Sequence, residues 1–168
     1  MITEQQFTNI YNLHASKVHR LCLGYASGDN EIAKEWCQEA FIKVWKYRKS
    51  FKGKSSIETW IFRIAVNVCL GDLRKTKKNI TVNDGLLPNN NNDDDNDDDD
   101  DDNNESNIKK MYHCIDKLNE QNRALILLEL ENMPQTTIAE TVGIAHGTLR
   151  TRLSRIRKSL LKCIKNGK

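Results

Sequence analysis

The chain is 168 residues long, with 26 Lys/Arg against 23 Asp/Glu and a net charge of +3, the size of one ordinary domain or two very small ones. That charge conceals three unlike parts: residues 1–78 carry +7, residues 79–107 carry −11 and residues 108–168 carry +7. Two basic bodies joined by an acidic segment point to nucleic acid as a partner. The five cysteines are scattered singly without a CxxC pair, which argues against a zinc site and a secreted disulfide framework. They read as small hydrophobes in a reducing, cytoplasmic setting. The first residues lack the basic-then-apolar layout of a signal peptide, and no apolar run reaches the roughly 18–20 residues that span a bilayer. With two prolines and little alternation of β-branched residues, the chain is expected to be all-α.

The first helix is expected over about Thr3–Tyr25. Phe7, Ile10, Tyr11, His14, Val18, Leu21, Cys22 and Tyr25 form one apolar stripe at three- and four-residue spacing, and Thr3 followed by Gln6 has the form of a capping box. After the turn SGDN at 27–30, with Asp29 or Asn30 as cap, a second helix is expected over about Glu31–Lys49. Its inner face is Ala33, Cys37, Ala40, Phe41 and Val44, with Glu35, Gln38, Glu39 and Lys46 pointing elsewhere. The polar loop 50–56 leads to a third helix, about Ile57–Thr76, with Ile57, Ile61, Ile64, Ala65 and Val68 inward. It ends in the basic cluster Arg74, Lys75, Lys77, Lys78, which also suits a helix C-terminus.

Residues 89–104 are Asn and Asp alone. Nothing there can bury apolar surface to offset the entropy of ordering, so disorder is expected. The organisation that follows is 1–78 as one small helical domain, 79–107 as a disordered acidic linker and 108–168 as a second helical domain. In the latter, helices are expected at about Asn107–Leu118, Glu120–Glu131, Gln135–Val142 and His146–Ile164.

The segment from Thr136 to Leu160 carries the most specific chemistry. Ala139 is small where two helices cross, Gly143 permits a tight turn, and Ile138, Val142, Ile144, Leu149 and Leu153 supply a small core: a helix-turn-helix. Its second helix presents His146, Thr148, Arg150, Thr151, Arg152 and Arg155 away from that core, the residue types that contact phosphates and base edges in a major groove. No acidic residue follows Thr141, so Arg150, Arg152, Arg155, Arg157 and Lys158 repel one another unless an anion lies near.

The N-terminal half narrows the reading. The run Gln38, Glu39, Ala40, Phe41, Trp45, the loop Phe51, Gly53, Ser55, the run Thr59 to Ala65, and Asn67 with Leu73 and Arg74 resemble region 2 of the extracytoplasmic-function (ECF) sigma factors, small bacterial RNA polymerase specificity subunits. From Met111 to the end the chain is similar to region 4 of the same family. The resemblance implies a transcription initiation factor without enzymatic activity. It implies docking on the polymerase core (β′ clamp helices and β flap), with Glu35, Gln38, Glu39, Phe41 and Trp45 as the binding set.

For the −10 element, held as a single strand, it implies Phe51, Lys52, Lys54 and Ser55 beside Trp60, Arg63, Asn67, Arg74, Lys75 and Lys78. Trp60 reads equally well as core. The −35 element falls to the second helix of the helix-turn-helix. Promoter DNA and a cognate anti-sigma factor are the further partners implied; no cofactor, metal or membrane insertion is. Relatives commonly carry Asp where this chain has Glu35, and often Asp where it has Gly71. Asp72 follows one step later, about 100° round a helix.

Two other classes compete. A polymerase-independent helix-turn-helix regulator would show a self-complementary apolar face. A metal-dependent nuclease would need carboxylates fixed in geometry, whereas the Asp run lacks the Gly and terminal Glu of a calcium loop. His14, His19, His113 and His146 are dispersed, and no nucleophile–base pair stands out. The acidic run reads as a spacer by composition; the resemblance adds a second reading, in which it folds back on the basic faces and weakens DNA binding.

Overall fold

The computed structural model describes residues 1–82 and 102–166, all in helices and short connections. Among the described residues seven helices follow in order: α1 Glu4–Tyr25, α2 Asn30–Tyr47, α3 Ile57–Val82, α4 Asp102–Asp116, α5 Glu120–Leu130, α6 Gln135–Val142 and α7 His146–Asn166.

Local chemistry sets most helix starts. The Thr3 hydroxyl accepts from the Gln6 N–H at 3.2 Å while the Gln6 side chain accepts from the Thr3 N–H at 2.9 Å, the reciprocal box that satisfies two orphan donors. Asp29 accepts from the Glu31 and Ile32 N–H groups, both at 3.1 Å. Ser56 accepts from Thr59 N–H, and Asn119 from Asn122 N–H at 2.9 Å. Gly143 ends α6 at φ +76°, a left-handed conformation that glycine adopts without penalty.

Helices α1, α2 and α3 pack together around Val18, Leu21, Tyr25, Val44, Ile61 and Phe62, all essentially inaccessible to solvent. In the C-terminal half α4 and α5 pack on α7, and α6 closes the turn; Ile138, Leu149 and Leu153 are fully buried there, with Val142 and Ile144 half-buried. The two halves share one continuous core. Helix α6 lies on α3, and α4 and α5 reach α1. A β-carbon at Gly24 of α1 would crowd the Leu127 side chain on α5, which would have to shift to admit it.

Several expectations change. Helix α3 continues to Val82 and α4 begins at Asp102, so both ends of the segment expected to be a disordered linker are helical. Its centre, 83–101, with most of the acidic run and the two readings of it, lies outside the described residues. Tyr11, placed on the inward stripe, is 46 % exposed with its ring edge against Phe41. Trp36, absent from the expected inner face, is buried and donates Nε1–H to Asp72 Oδ2 at 3.0 Å.

The cysteine expectation is corrected in part: Cys114 of α4 and Cys163 of α7 form a disulfide, while Cys22, Cys37 and Cys69 are free. The bonded pair is 49 residues apart in sequence, and only the packing of α4 on α7 brings it together. Burial pushes the Cys37 thiol up to about 11, which keeps it protonated and inert.

Gly71 sits inside α3 and a β-carbon there would meet no atom within 4 Å. Gly71→Ala is therefore expected to raise stability by about 0.5–1 kcal/mol in urea unfolding, from backbone entropy alone. His14 is buried with Nδ1 unpartnered, and burial holds its imidazole below the usual 6.5 although Glu58 opposes the shift. The unfolded chain then takes up the proton more readily than the folded one. His14 thus weakens the fold as pH falls below that ordinary value, with no loss above it. Urea unfolding from neutrality down to about pH 5 is expected to show this decline, shallower in His14→Gln.

Candidate nucleic-acid interface

Helix α7 is amphipathic along its whole length. Leu149, Leu153, Ile156 and Leu160 are buried, and His146, Thr148, Arg150, Thr151 and Arg155 are exposed on the front. Arg150 and Arg155 make no hydrogen bond or ion pair among the described residues. Arg152 departs from the expected set: it is half-buried, and Nη1 donates to Gln121 Oε1 of α5 at 2.9 Å. The Thr151 hydroxyl donates to the Gly147 carbonyl at 3.3 Å, leaving its methyl and lone pairs outward. The crowding of charge along α7 is relieved at one point, where Arg157 pairs with Glu129 of α5.

The loop before α3 turns at Gly53, φ +70°. Lys52 and Lys54 are exposed and Ser55 is half-buried. Phe51 and Trp60 are both half-buried, their centroids 5.0 Å apart and planes tilted by 42°. Trp60 is thus neither core nor a bare platform but half of an aromatic pair at the edge. Beside it an open groove of about 880 Å³ runs between this loop and the start of α1, lined by Gln6, Asn9, Lys49, Phe51 and Lys52 among others.

On α3, Arg63, Asn67, Arg74 and Lys78 fall four, seven and four residues apart, which puts them on one stripe. All are exposed, as is Lys75. The stripe is partly occupied by the other half of the molecule. Arg63 donates Nε–H to the Thr141 carbonyl at 3.2 Å and Nη2–H to the Glu140 carbonyl, at the C-terminal end of α6. Arg74 forks onto the Glu120 carboxylate at 2.7 and 3.3 Å, and this bond holds the Glu120 carboxyl below the usual carboxylate range. Arg63, Asn67, Arg74 and Arg152 surround one cavity of about 280 Å³ floored by Val66, Leu70, Leu125 and Ile144. Residues assigned from sequence to two separate DNA elements therefore meet at one seam.

On α2, Glu35, Gln38 and Glu39 are exposed, with Glu39 pairing to Lys43 at 3.3 Å. Trp45 is half-buried, its ring edge against Phe7 at 5.0 Å and the Arg48 guanidinium 3.6 Å over its face. Phe41 is 4 % exposed and packs on Tyr11, and it also lines the open groove between α1 and α2. Sequence reasoning missed Ile42, which is 57 % exposed and shares that groove of about 810 Å³ with Tyr11, Gln38 and Trp45. Its signal was available, since an isoleucine four residues after Gln38 falls on the polar face.

Among the described residues there is no group of three His, Cys, Asp or Glu placed to hold a metal ion, and no helix is long and apolar enough to cross a membrane.

The sigma-70 region 2 family model matches residues 10–79 and the sigma-70 region 4 model matches residues 108–160. The chain is 30 % identical over 167 residues to the ECF RNA polymerase sigma-E factor of Haemophilus influenzae, covering 94 % of this chain and 86 % of that protein. It is 26 % identical over 181 residues to the ECF RNA polymerase sigma factor SigW of Bacillus subtilis, covering 97 % and 91 %. Among solved structures, the fold resembles that of RpoE in complex with the anti-sigma factor NepR from Bartonella quintana, with a TM-score of 0.73 at 21 % identity over 96 % of this chain and 98 % of that one. It also resembles CnrH in complex with the cytosolic domain of CnrY, with a TM-score of 0.71 at 15 % identity over 99 % and 92 %.

Burial separates the α2 residues into two classes with different expected behaviour. Phe41→Ala should cost about 3–5 kcal/mol in stability, as truncation of a buried aromatic does. Gln38→Ala and Glu39→Ala should stay within about 0.5 kcal/mol of the parent chain by denaturant titration.

Proposed function

Since this chain belongs to the ECF subfamily of sigma-70 factors, and so directs RNA polymerase to promoters, we propose how its surfaces divide that work. The front of α7 reads the −35 duplex through His146, Thr148, Arg150, Thr151 and Arg155, with Arg152 joining once freed from Gln121. The observation that carries this is the pair Arg150 and Arg155, exposed without a partner among the described residues on a helix whose opposite face is buried. Unneutralised guanidinium groups on a rigid, correctly presented helix are what phosphate and guanine contacts require.

The −10 element is taken as a single strand by Phe51, Lys52, Lys54, Ser55 and Trp60 at the loop, and by Arg63, Asn67, Arg74, Lys75 and Lys78 along α3. The tilted Phe51–Trp60 pair beside an open groove provides a stacking edge next to basic side chains. The exposed face of α2, Glu35, Gln38 and Glu39 with Ile42 and the edge of Trp45, docks on the β′ clamp helices of the polymerase core. An apolar centre ringed by polar groups is the usual composition of such a contact. The region 4 half, 108–168, contacts the β flap, and the region 2 half, 1–78, carries the clamp and strand contacts. A cytoplasmic site of action and a cognate anti-sigma factor complete the proposal, the latter supported by the relatives solved with NepR and CnrY.

Transcription in vitro with purified bacterial core polymerase, on promoters drawn from the genome that encodes the chain, tests this division. The chain should support initiation that core alone does not. Arg150→Ala or Arg155→Ala should cost about 1–3 kcal/mol in promoter affinity where the contact is to a base, or lower the salt slope by about one where it is to phosphate. Unchanged affinity and salt dependence in both variants would remove α7 from the interface. Tight core-independent binding to a palindromic operator would favour a polymerase-independent regulator.

A further inference from the structure

The cysteines of this chain sit in three different environments. Cys22 and Cys69 are sealed in the core of the N-terminal half, their sulfurs 3.7 Å apart. Cys37 is half-buried, and burial keeps it a thiol. Only Cys114 and Cys163 are bonded. Cys114 is 4 % exposed on the inner face of α4, whereas Cys163, in the last turn of α7, is partly open to solvent. Helix α7 carries no carboxylate, and Lys158, Lys162 and Lys165 are exposed around that turn. Such a cationic surface draws small anions toward it. The bond also lies where apolar packing is thinnest. Among the described residues, Cys114 and Ile115 are the only buried positions of α4, and α7 has none after Leu160. The cysteines stand 49 residues apart, and the ring they close takes in α5, α6 and the whole front of α7.

We propose that Cys163 and Cys114 form a reversible modification site for an anionic low-molecular-weight disulfide. Cys163 reacts first, because it alone of the pair is open to solvent. Its thiolate attacks one sulfur of the incoming disulfide, whose S–S bond breaks and releases one small thiolate. Cys114, having lost its proton to water, then attacks Cys163 Sγ and expels the second small thiolate. The two cysteines lose two electrons, the small disulfide gains them, and two protons end on the released thiols. Excess small thiol runs the same steps backwards. In the reducing setting of the proposed cytoplasmic site of action, a disulfide of this kind is a transient, sensing one. The product bond staples α4 to the end of α7 and removes loop-closure freedom from the unfolded chain. Thiol state thereby sets the temperature to which the C-terminal half keeps its fold. The consequence for DNA rests on the reading of α7 as the −35 helix.

The full chain is equilibrated in mixtures of reduced and oxidised glutathione, and its thiols are alkylated and mapped by mass spectrometry. The bond should open and re-form across the series, with Cys22, Cys37 and Cys69 unmodified throughout. Cys114→Ala, which keeps a small apolar group at the buried position, should accumulate one glutathione adduct at Cys163. Oxidised glutathione should react about threefold or more faster than the cationic disulfide cystamine, a gap that narrows in high salt. The oxidised chain should melt about 5–15 °C above the reduced one, and Cys163→Ser should melt with the reduced chain in either medium. Between the two midpoints, only the oxidised chain should hold a fluorescein-labelled DNA duplex of mixed sequence at low ionic strength. A bond unmoved by every mixture is a fixed cross-link and overturns the exchange. Adducts at Cys37 in place of Cys163 overturn the site, and equal rates with the two disulfides overturn its anionic preference. Equal midpoints overturn the staple. Unequal midpoints with the duplex held by both chains refute α7 as the DNA helix, while leaving the modification site in place.

Discussion

Two bodies of +7 each lie against one another in this molecule, and that is the constraint the rest of the structure answers to. Like charge opposes the contact. Apolar burial between α1 and α5, at the Gly24–Leu127 approach, favours it. Charge decides where the contact can form, because the few carboxylates of the C-terminal half must face the cations of the N-terminal half. Glu120 and Glu131 do so, on Arg74 and Arg20, while Asp116 and Glu140 meet the Ser27 and Thr59 hydroxyls. The far side of that half is thereby left almost wholly basic, which is why α7 can present Arg150 and Arg155 outward with no acid beside them among the described residues.

Local signals in the sequence carried the fold. The Thr3–Gln6 box, the Asp29 cap and the left-handed Gly143 each act within a few residues, so the chain alone shows where those helices begin and turn. The core of the helix-turn-helix was equally legible, because Ile138, Leu149 and Leu153 repeat at helical spacing. What escaped was set by residues far apart. Trp36 is buried because Asp72, on another helix, accepts its indole N–H. Cys114 and Cys163 meet only through the packing of α4 on α7. Arg63 and Arg74 carry the right spacing for a strand path, yet nothing local reveals that another half of the chain reaches them.

Phe41 carries two readings at once. Its periodicity put it on the inner face of α2, while the family resemblance put it in the docking set. Its burial follows the periodicity, at 4 % exposed, yet it also lines the groove between α1 and α2 that Ile42 shares. Ile42, one step on, has the opposite character: an exposed isoleucine among polar neighbours, where desolvation by a partner is favourable. A one-residue step rotates a helical side chain by about 100°, enough to exchange a core position for a surface one. The same geometry accounts for Gly71 and Asp72. Position 71 faces open space and position 72 faces Trp36, so the carboxylate works inward as a hydrogen-bond acceptor for the region 2 bundle, not outward toward a ligand.

The seam combines wetted and buried polar groups. Most of its polar groups are at least partly wetted: Arg20 is 53 % exposed, and Arg74 and Glu120 more than half and about half. Water can resolvate these groups as the halves part, so separation leaves few orphaned charges. The Glu131 carboxylate, 8 % exposed, has its partner Arg20 across the seam, whereas Arg123, 13 % exposed, keeps Asp116 in its own half and has only the Tyr25 carbonyl across it. Glu131 gives the contact a defined geometry and a real energetic threshold, since a buried ion is costly once its partner leaves. A partner binding with nanomolar Kd brings about 12 kcal/mol, which must be set against the apolar burial that the two halves share as well as these polar contacts. An all-apolar seam of the same extent would have no such wetted exit, and would leave a large exposed patch on each half when open.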